Sequence, residues 1–221
     1  MENKEFLGTE KVGKLLFKLA VPSVIAQLVN LLYNMVDRIY IGHMADVGSL
    51  ALTGVGVCMP VIMLVSAFAC LVGMGGAPQV SICMGRKEHD KAEKIMGNCL
   101  TFLVSISIVL TVLLYIFGER LLLIFGASQN TIGYAVDYMK IYVLGTIFVQ
   151  MALGMNMFIT CQGFTKVSML SVIIGAVMNI VLDPILIFGL NMGVKGAALA
   201  TIISQAVSAV WVIAFLSGKK T

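Results

Sequence analysis

Residues 167–191, VSMLSVIIGAVMNIVLDPILIFGLN, run for 25 positions with a single ionisable side chain, Asp183. A bilayer core about 30 Å thick needs about 20 helical residues, so the stretch reads as a transmembrane helix. A carboxylate inside such a helix costs roughly 2.5–3.5 kcal/mol on insertion scales and is rarely tolerated without a use. Asp183 is therefore a candidate for ion or proton handling. Asn179 sits four residues earlier, on the same helical face. Pro184 has no N–H for the carbonyl of Ile180, which frees a further acceptor beside that face.

The surrounding chain repeats the pattern. Of its 221 residues, 59% are hydrophobic and 12% charged, against about 25% charged in soluble domains. The fold class is all-α, a polytopic membrane protein with six transmembrane helices at approximately 15–42, 50–85, 95–118, 131–162, 167–190 and 194–217. The opening polar segment precedes a stretch long enough to span, so it reads as leading into a retained first helix rather than as a signal peptide. Residues 50–85 carry no charge and leave two options, one long helix or a tight pair of short ones. Basic residues decide between them. Lys4, Lys11, Lys14 and Lys18 precede the first span, and Arg86, Lys87, Lys91 and Lys94 follow the second. Both groups belong in the cytoplasm, which requires one crossing between 50 and 85, with a bend expected around residues 73–78. Both termini are then cytoplasmic, with 11 of the 15 basic residues on that side. Leu121–Phe125, in the link after the third span, reads as an interfacial turn.

Depth places a second carboxylate beside the first. Asp37 lies five residues before Gly42, about 7–8 Å below the outer end of the first span. Asp183 lies about 9 Å below the outer end of the fifth, and Thr201 about 10 Å into the sixth. Asn30 and Asn34 share the helical face of Asp37. Carboxylate, amide, hydroxyl and carbonyl oxygens at one level suit a proton or a hard monovalent cation such as Na+. Plainer roles compete: Asn30, Asn34 and Thr201 can simply tie helices together, and Asp37 can pair with Arg38. Pro22 either kinks the first helix or sits in its first turn. Met151 and Met155 either line a cavity or pack. The five cysteines form no CxxC pair and read as small buried hydrophobes.

The segment Asn179–Pro184 (NIVLDP), followed by Gly193–Ala198 (GVKGAA) and Thr201, resembles the multidrug and toxic compound extrusion (MATE) transporters. So do Leu32–Asp37 (LYNMVD) with Ile41-Gly42, and the glycine-rich second span ending Met84-Gly85-Arg86. The likeness runs over essentially the whole chain. It implies a twelve-helix antiporter of two six-helix lobes that expels amphipathic organic cations in exchange for H+ or Na+, with no cofactor. The chain corresponds to the amino-terminal lobe, which implies a second six-helix lobe as partner, either a carboxy-terminal half or another copy. On the family's pattern Asp37, Asn179, Asp183 and Thr201 are the ion-coupling residues and Pro22 is the bending proline. Tyr138 and Asn156 match polar positions of the fourth helix and join Asn30 and Asn34 as candidates for the substrate cleft. The expected location is a bacterial inner membrane. The alternatives are a lipid-linked oligosaccharide flippase of the same superfamily and a nontransporting fragment that needs a partner half. The flippase should carry more basic residues inside its helices than occur here. No arginine ladder, Asn-Pro-Ala pair, nucleotide-binding loop or nucleophile-base spacing supports a voltage sensor, a water channel, an ATP-driven pump or an enzyme.

Overall fold

The computed structural model describes residues 11–45 and 47–218, nearly all of them helical and none in a strand. Lys4, used above to orient the amino terminus, lies outside these residues, as do Lys219 and Lys220, which belong to the same cytoplasmic set of 11. Lipid offers no partner to a backbone N–H or C=O, so each apolar run closes its hydrogen bonds on itself. The first span is α1 (Val12–Gly42), and the second is α2 (Gly48–Val57) continued by α3 (Met59–Gly85). The third is α4 (His89–Ile124). The fourth joins α5 (Ile132–Leu144), α6 (Thr146–Gln150), a π segment (Met151–Met155) and α7 (Asn156–Cys161). The fifth is α8 (Thr165–Pro184) with a π segment (Ile185–Gly189), and the sixth is α9 (Val194–Leu216). Among the described residues five helices are long and apolar enough to cross a membrane, and six do so when the bent pair Ile132–Leu144 and Thr146–Cys161 is counted as one span.

Three details depart from the expected spans. The second span is interrupted at Cys58, where no break was expected, and residues 73–78 lie within continuous helix. Pro60 follows the break and cannot donate to the carbonyl of Gly56, whereas Pro78 lies inside continuous helix. The third span covers 36 residues instead of 95–118 and absorbs Leu121–Ile124, so no separate interfacial turn forms there. The fourth span bends by 62° at Gly145. Pro22 lies ten residues inside α1 and is buried, which removes the first-turn alternative.

Tight turns reverse the chain at both ends of the bundle. Lys87 and Gly163 have φ of 63° and 87°. The following N–H groups bond back to the carbonyls of Cys83 (2.9 Å) and Ile159 (3.2 Å). This closes the helix ends in Schellman fashion. At the opposite end, Lys195 pairs with Asp137 at 3.4 Å and ties the start of α9 to the fourth span.

Two hydrophobic clusters fill the interior. One gathers Ile41, Val55, Cys58, Leu122, Val143 and Ala197 near the links between spans one and two, three and four, and five and six. The other gathers Val80, Leu103, Phe158, Ile159 and Val212 towards the opposite end. All the cysteines are free, with Cys58 and Cys83 buried. By contrast, α1 keeps only Pro22 and Ile41 fully buried. It exposes an apolar stripe, Val21, Ile25, Leu28, Leu32, Met35 and Ile39, at 3–4 residue spacing. Its main packing partner is α8.

The α8–α9 pair supports the site and depends on close backbone approach. A Cβ at Gly196 would lie 2.7 Å from the Leu186 carbonyl carbon. Gly196→Val should therefore destabilise the fold by about 1–3 kcal/mol through overpacking. Gly75→Ala, where a Cβ meets nothing within 4 Å, should cost nothing. Thermal unfolding in detergent checks both, and equal melting of Gly196→Val and the parent protein would contradict the packing account.

Candidate ion site and cleft

A cleft of about 450 Å³ runs between the first, second, fourth, fifth and sixth spans. Asn30, Tyr33, Asn34 and Asp37 reach it from α1, Tyr138 and Tyr142 from α5, Asn179 from α8, and Thr201 from α9. Asp183 has no exposed surface. It lies beside Asp37, and the two carboxyl groups are near enough to share a proton in a hydrogen bond.

The hydrogen-bond inventory defines the chemistry. Asn179 Nδ2 donates to Asp183 Oδ1 at 3.3 Å. Three buried oxygens remain without a donor: Asp37 Oδ1, Asp183 Oδ2 and Asn179 Oδ1. A buried acceptor left unmatched costs about 1–3 kcal/mol, and more when charged. Acceptors that find no donor within the protein can be matched by a positive charge or a donor from outside it. Thr201 adds a hydroxyl whose proton is directed to the Ala197 carbonyl at 3.0 Å, so its lone pairs remain available. Oxygen is the only ligand type present, as a hard cation requires. Among the described residues, no cluster of three or more His, Cys, Asp or Glu side chains occurs to suit a transition metal.

Arg38 lines the same cleft and contributes to the field at Asp37, yet no ion pair within 4.0 Å joins them. The Asp37–Arg38 pairing weighed from sequence therefore does not form. Asn34 Nδ2 donates to the Asn30 carbonyl at 2.6 Å, so part of that asparagine pair is spent within its own helix.

The candidates divide by position. Tyr138 lies close to Asp37 and to Thr201. Asn156 also lines the cleft, at a distance from them. It donates to the Ser168 carbonyl at 3.3 Å, and Ser168 precedes Asp183 by 15 residues, about 22 Å of helix. Pro22, on the same side of the bundle, does not line the cleft. Met151 and Met155 pack in the second core and are absent from the cleft, whose methionines are Met59 and Met157.

Sequence reasoning missed several residues. Tyr33 approaches both carboxylates. Its position four residues before Asp37 was the available clue. Tyr142 stacks on Tyr138 with centroids 6.1 Å apart and planes at 15°. Gln150 is fully buried, donates to the Val65 carbonyl at 2.9 Å, and leaves its own Oε1 unmatched. It stands where the helix widens into the π segment, a distortion common at functional sites. A row of hydroxyls, Ser171, Ser204 and Ser208, lines the cleft between α8 and α9. Its closest link is Ser208 donating to the Ser171 carbonyl at 2.9 Å.

A six-span lobe with an acceptor cage between its first and fifth helices and a cleft beside it defines a multi-pass membrane protein of transporter type. The family is shown directly: the MatE family model matches residues 22–185, and the chain belongs to that family. It is 30% identical over 214 residues to "Multidrug export protein MepA" of Staphylococcus haemolyticus (strain JCSC1435), covering 97% of this chain and 47% of that protein. The Staphylococcus aureus (strain NCTC 8325 / PS 47) protein of the same name is 26% identical over 217 residues, with 97% and 48% covered. A crystal structure of MATE in the bent conformation superposes with a TM-score of 0.90 at 25% identity, over all of this chain and 48% of that one. The chain thus spans about half the length of the curated relatives it matches.

Cation addition reads out the acceptor cage directly. A proton or Na+ bound between Asp37 and Asp183 should raise the melting temperature of the purified protein. In Asp183→Asn the amide can donate to the remaining carboxylate, and the cation-dependent part of the increase should vanish. Thermal unfolding with Na+ against a bulky organic cation such as choline, at several pH values, measures this. An unchanged cation response in the variant would remove the cage as its origin.

Proposed function

We propose that this chain is the amino-terminal lobe of a cation-coupled multidrug efflux antiporter, with H+ or Na+ as the coupling ion and amphipathic organic cations as cargo. The observation that carries the reading is the set of three buried, donorless oxygens on Asp37, Asn179 and Asp183. Its cargo is inferred from the relatives named multidrug export proteins. Its partner is a second six-helix lobe that completes the cleft. The Lys- and Arg-bearing end of the bundle faces the cytoplasm of a bacterium, and the opposite end, where the carboxylates lie, faces out.

The residues act through charge. A cation between the two carboxylates cancels their repulsion and draws α1 towards α8. Its departure leaves two like charges in a poorly solvated site and pushes α1 away. Few residues hold α1 in the core, so it is the helix with least packing to lose. Pro22 withdraws the N–H that the Lys18 carbonyl would otherwise accept, which lowers the cost of bending there. An organic cation in the cleft meets Asp37, Asn30, Asn34 and the faces of Tyr138 and Tyr142, and competes with the small ion for the same negative charge. The flippase alternative lacks the basic lining that a pyrophosphate needs, since Arg38 is the one cationic residue in the described lining of the cleft.

In the full-length protein, Asp37→Asn and Asp183→Asn should each insert normally and lose ion-driven efflux. Coupling energies of about 1–3 kcal/mol correspond to roughly 5–150-fold, so the response to an imposed gradient should fall by that order. Efflux from proteoliposomes under separate pH and Na+ gradients checks this and identifies the ion. Parental ion dependence in both variants would refute the assignment.

A further inference from the structure

A second cavity, of about 630 Å³, opens at the end of the bundle remote from the carboxylates. It forms where α3 ends, α4 begins, α7 ends and α9 ends, and the MatE reading above gives it no role. Its body is apolar and adaptable, built on Met84, Met96, Met155 and Ile213. Its polar side chains are His89, Glu93, Gln162 and Ser217.

Gln162 makes the cavity more than a packing gap. It caps the carboxy-terminal end of α7 and keeps 6% of its surface exposed, and its Oε1 has no hydrogen-bond donor. A buried amide oxygen in that state favours a donor from outside. Glu93 stands exposed on α4 and adds a full negative charge. No lysine or arginine is among the described lining residues. Of the cations near its mouth, Lys91 is engaged with Glu88 at 3.3 Å. Acceptors and negative charge beside a methionine-lined recess call for a positively charged N–H donor carrying an apolar body. An anionic head would face Glu93 and the amide oxygen with no lysine or arginine among the described lining residues to offset them. A neutral alcohol would satisfy Gln162 but gain nothing from Glu93. The volume lies within the roughly 300–1,000 Å³ of small-molecule sites.

We propose that this cavity is a second binding site, specific for a primary-amine amphiphile whose head is held by Gln162 and Glu93 and whose chain lies against Met84, Met96 and Met155. The mouth lies at the level of Arg86 and Lys87, where lipid headgroups and cytoplasmic solutes are both within reach. The amine can therefore come from an aminophospholipid headgroup or from a soluble alkylammonium ion.

The test photolabels the full chain, reconstituted in phosphatidylcholine, with a dodecylamine carrying a diazirine on its chain. Label should concentrate on peptides containing Met84, Met96, Met155 and Ile213. It should fall by roughly tenfold in Glu93→Gln and in Gln162→Leu, the scale of one charge-assisted hydrogen bond. Gln162→Glu, which keeps an acceptor, should retain it. Glu93 is exposed, so its variant reports on binding even if Gln162→Leu fails to fold. Displacement of the label by phosphatidylethanolamine identifies a lipid source. Displacement by a short soluble alkylammonium ion alone identifies a solute, and either result supports the site. Uniform labelling of lipid-facing helices, equal competition by dodecanol, or unchanged labelling in Glu93→Gln would overturn the proposal. None of these readouts depends on Asp37 or Asp183, so failure here leaves the efflux assignment standing, and the reverse holds too.

Discussion

Two carboxyl groups held side by side, Asp183 fully buried and Asp37 at the wall of the cleft, are the constraint around which the lobe is organised. Desolvation penalises each charge and proximity penalises the pair. Everything that brings them together must outweigh that cost. The close α8–α9 approach at Gly196, the Asn179–Asp183 hydrogen bond and the first hydrophobic cluster are the visible supports. Asp183 is anchored in the packed half of the molecule, whereas Asp37 rides on the helix with the smallest share of the core. In the proposed coupling, that asymmetry would let a change of charge act on one helix and leave the others in place.

Much of this was legible in the sequence because membranes restrict the options. Apolar runs of known length give spans, basic residues give their order, and a fixed rise per residue turns position into depth. Asp37 and Asp183 could be placed at one level by arithmetic alone, and Asn179 and Thr201 followed. The break at Cys58 was readable in principle, since Pro60 sits two residues on. Gly73 to Pro78 offered a louder signal, yet Pro78 is accommodated within an unbroken helix.

Other features have no signature in one dimension. The π segment at Met151 coincides with Gln150 reaching across to Val65, 85 residues earlier, a tertiary event that no local propensity encodes. Asn156 and Tyr138 look equivalent on one span until the 62° bend and helix length separate them. The cavity around Gln162 needs four helix ends to meet, and Gln162 alone reads as an ordinary turn residue.

The outward apolar stripe of α1 has an energetic corollary. In water, peeling such a helix from its neighbour would expose oily surface and incur the hydrophobic penalty. Within a bilayer the vacated contacts are refilled by acyl chains of similar polarity, so little transfer free energy opposes the swing. In the proposed coupling, rocking of this segment would then be resisted chiefly by local packing, a regime in which one elementary charge would weigh heavily in the balance.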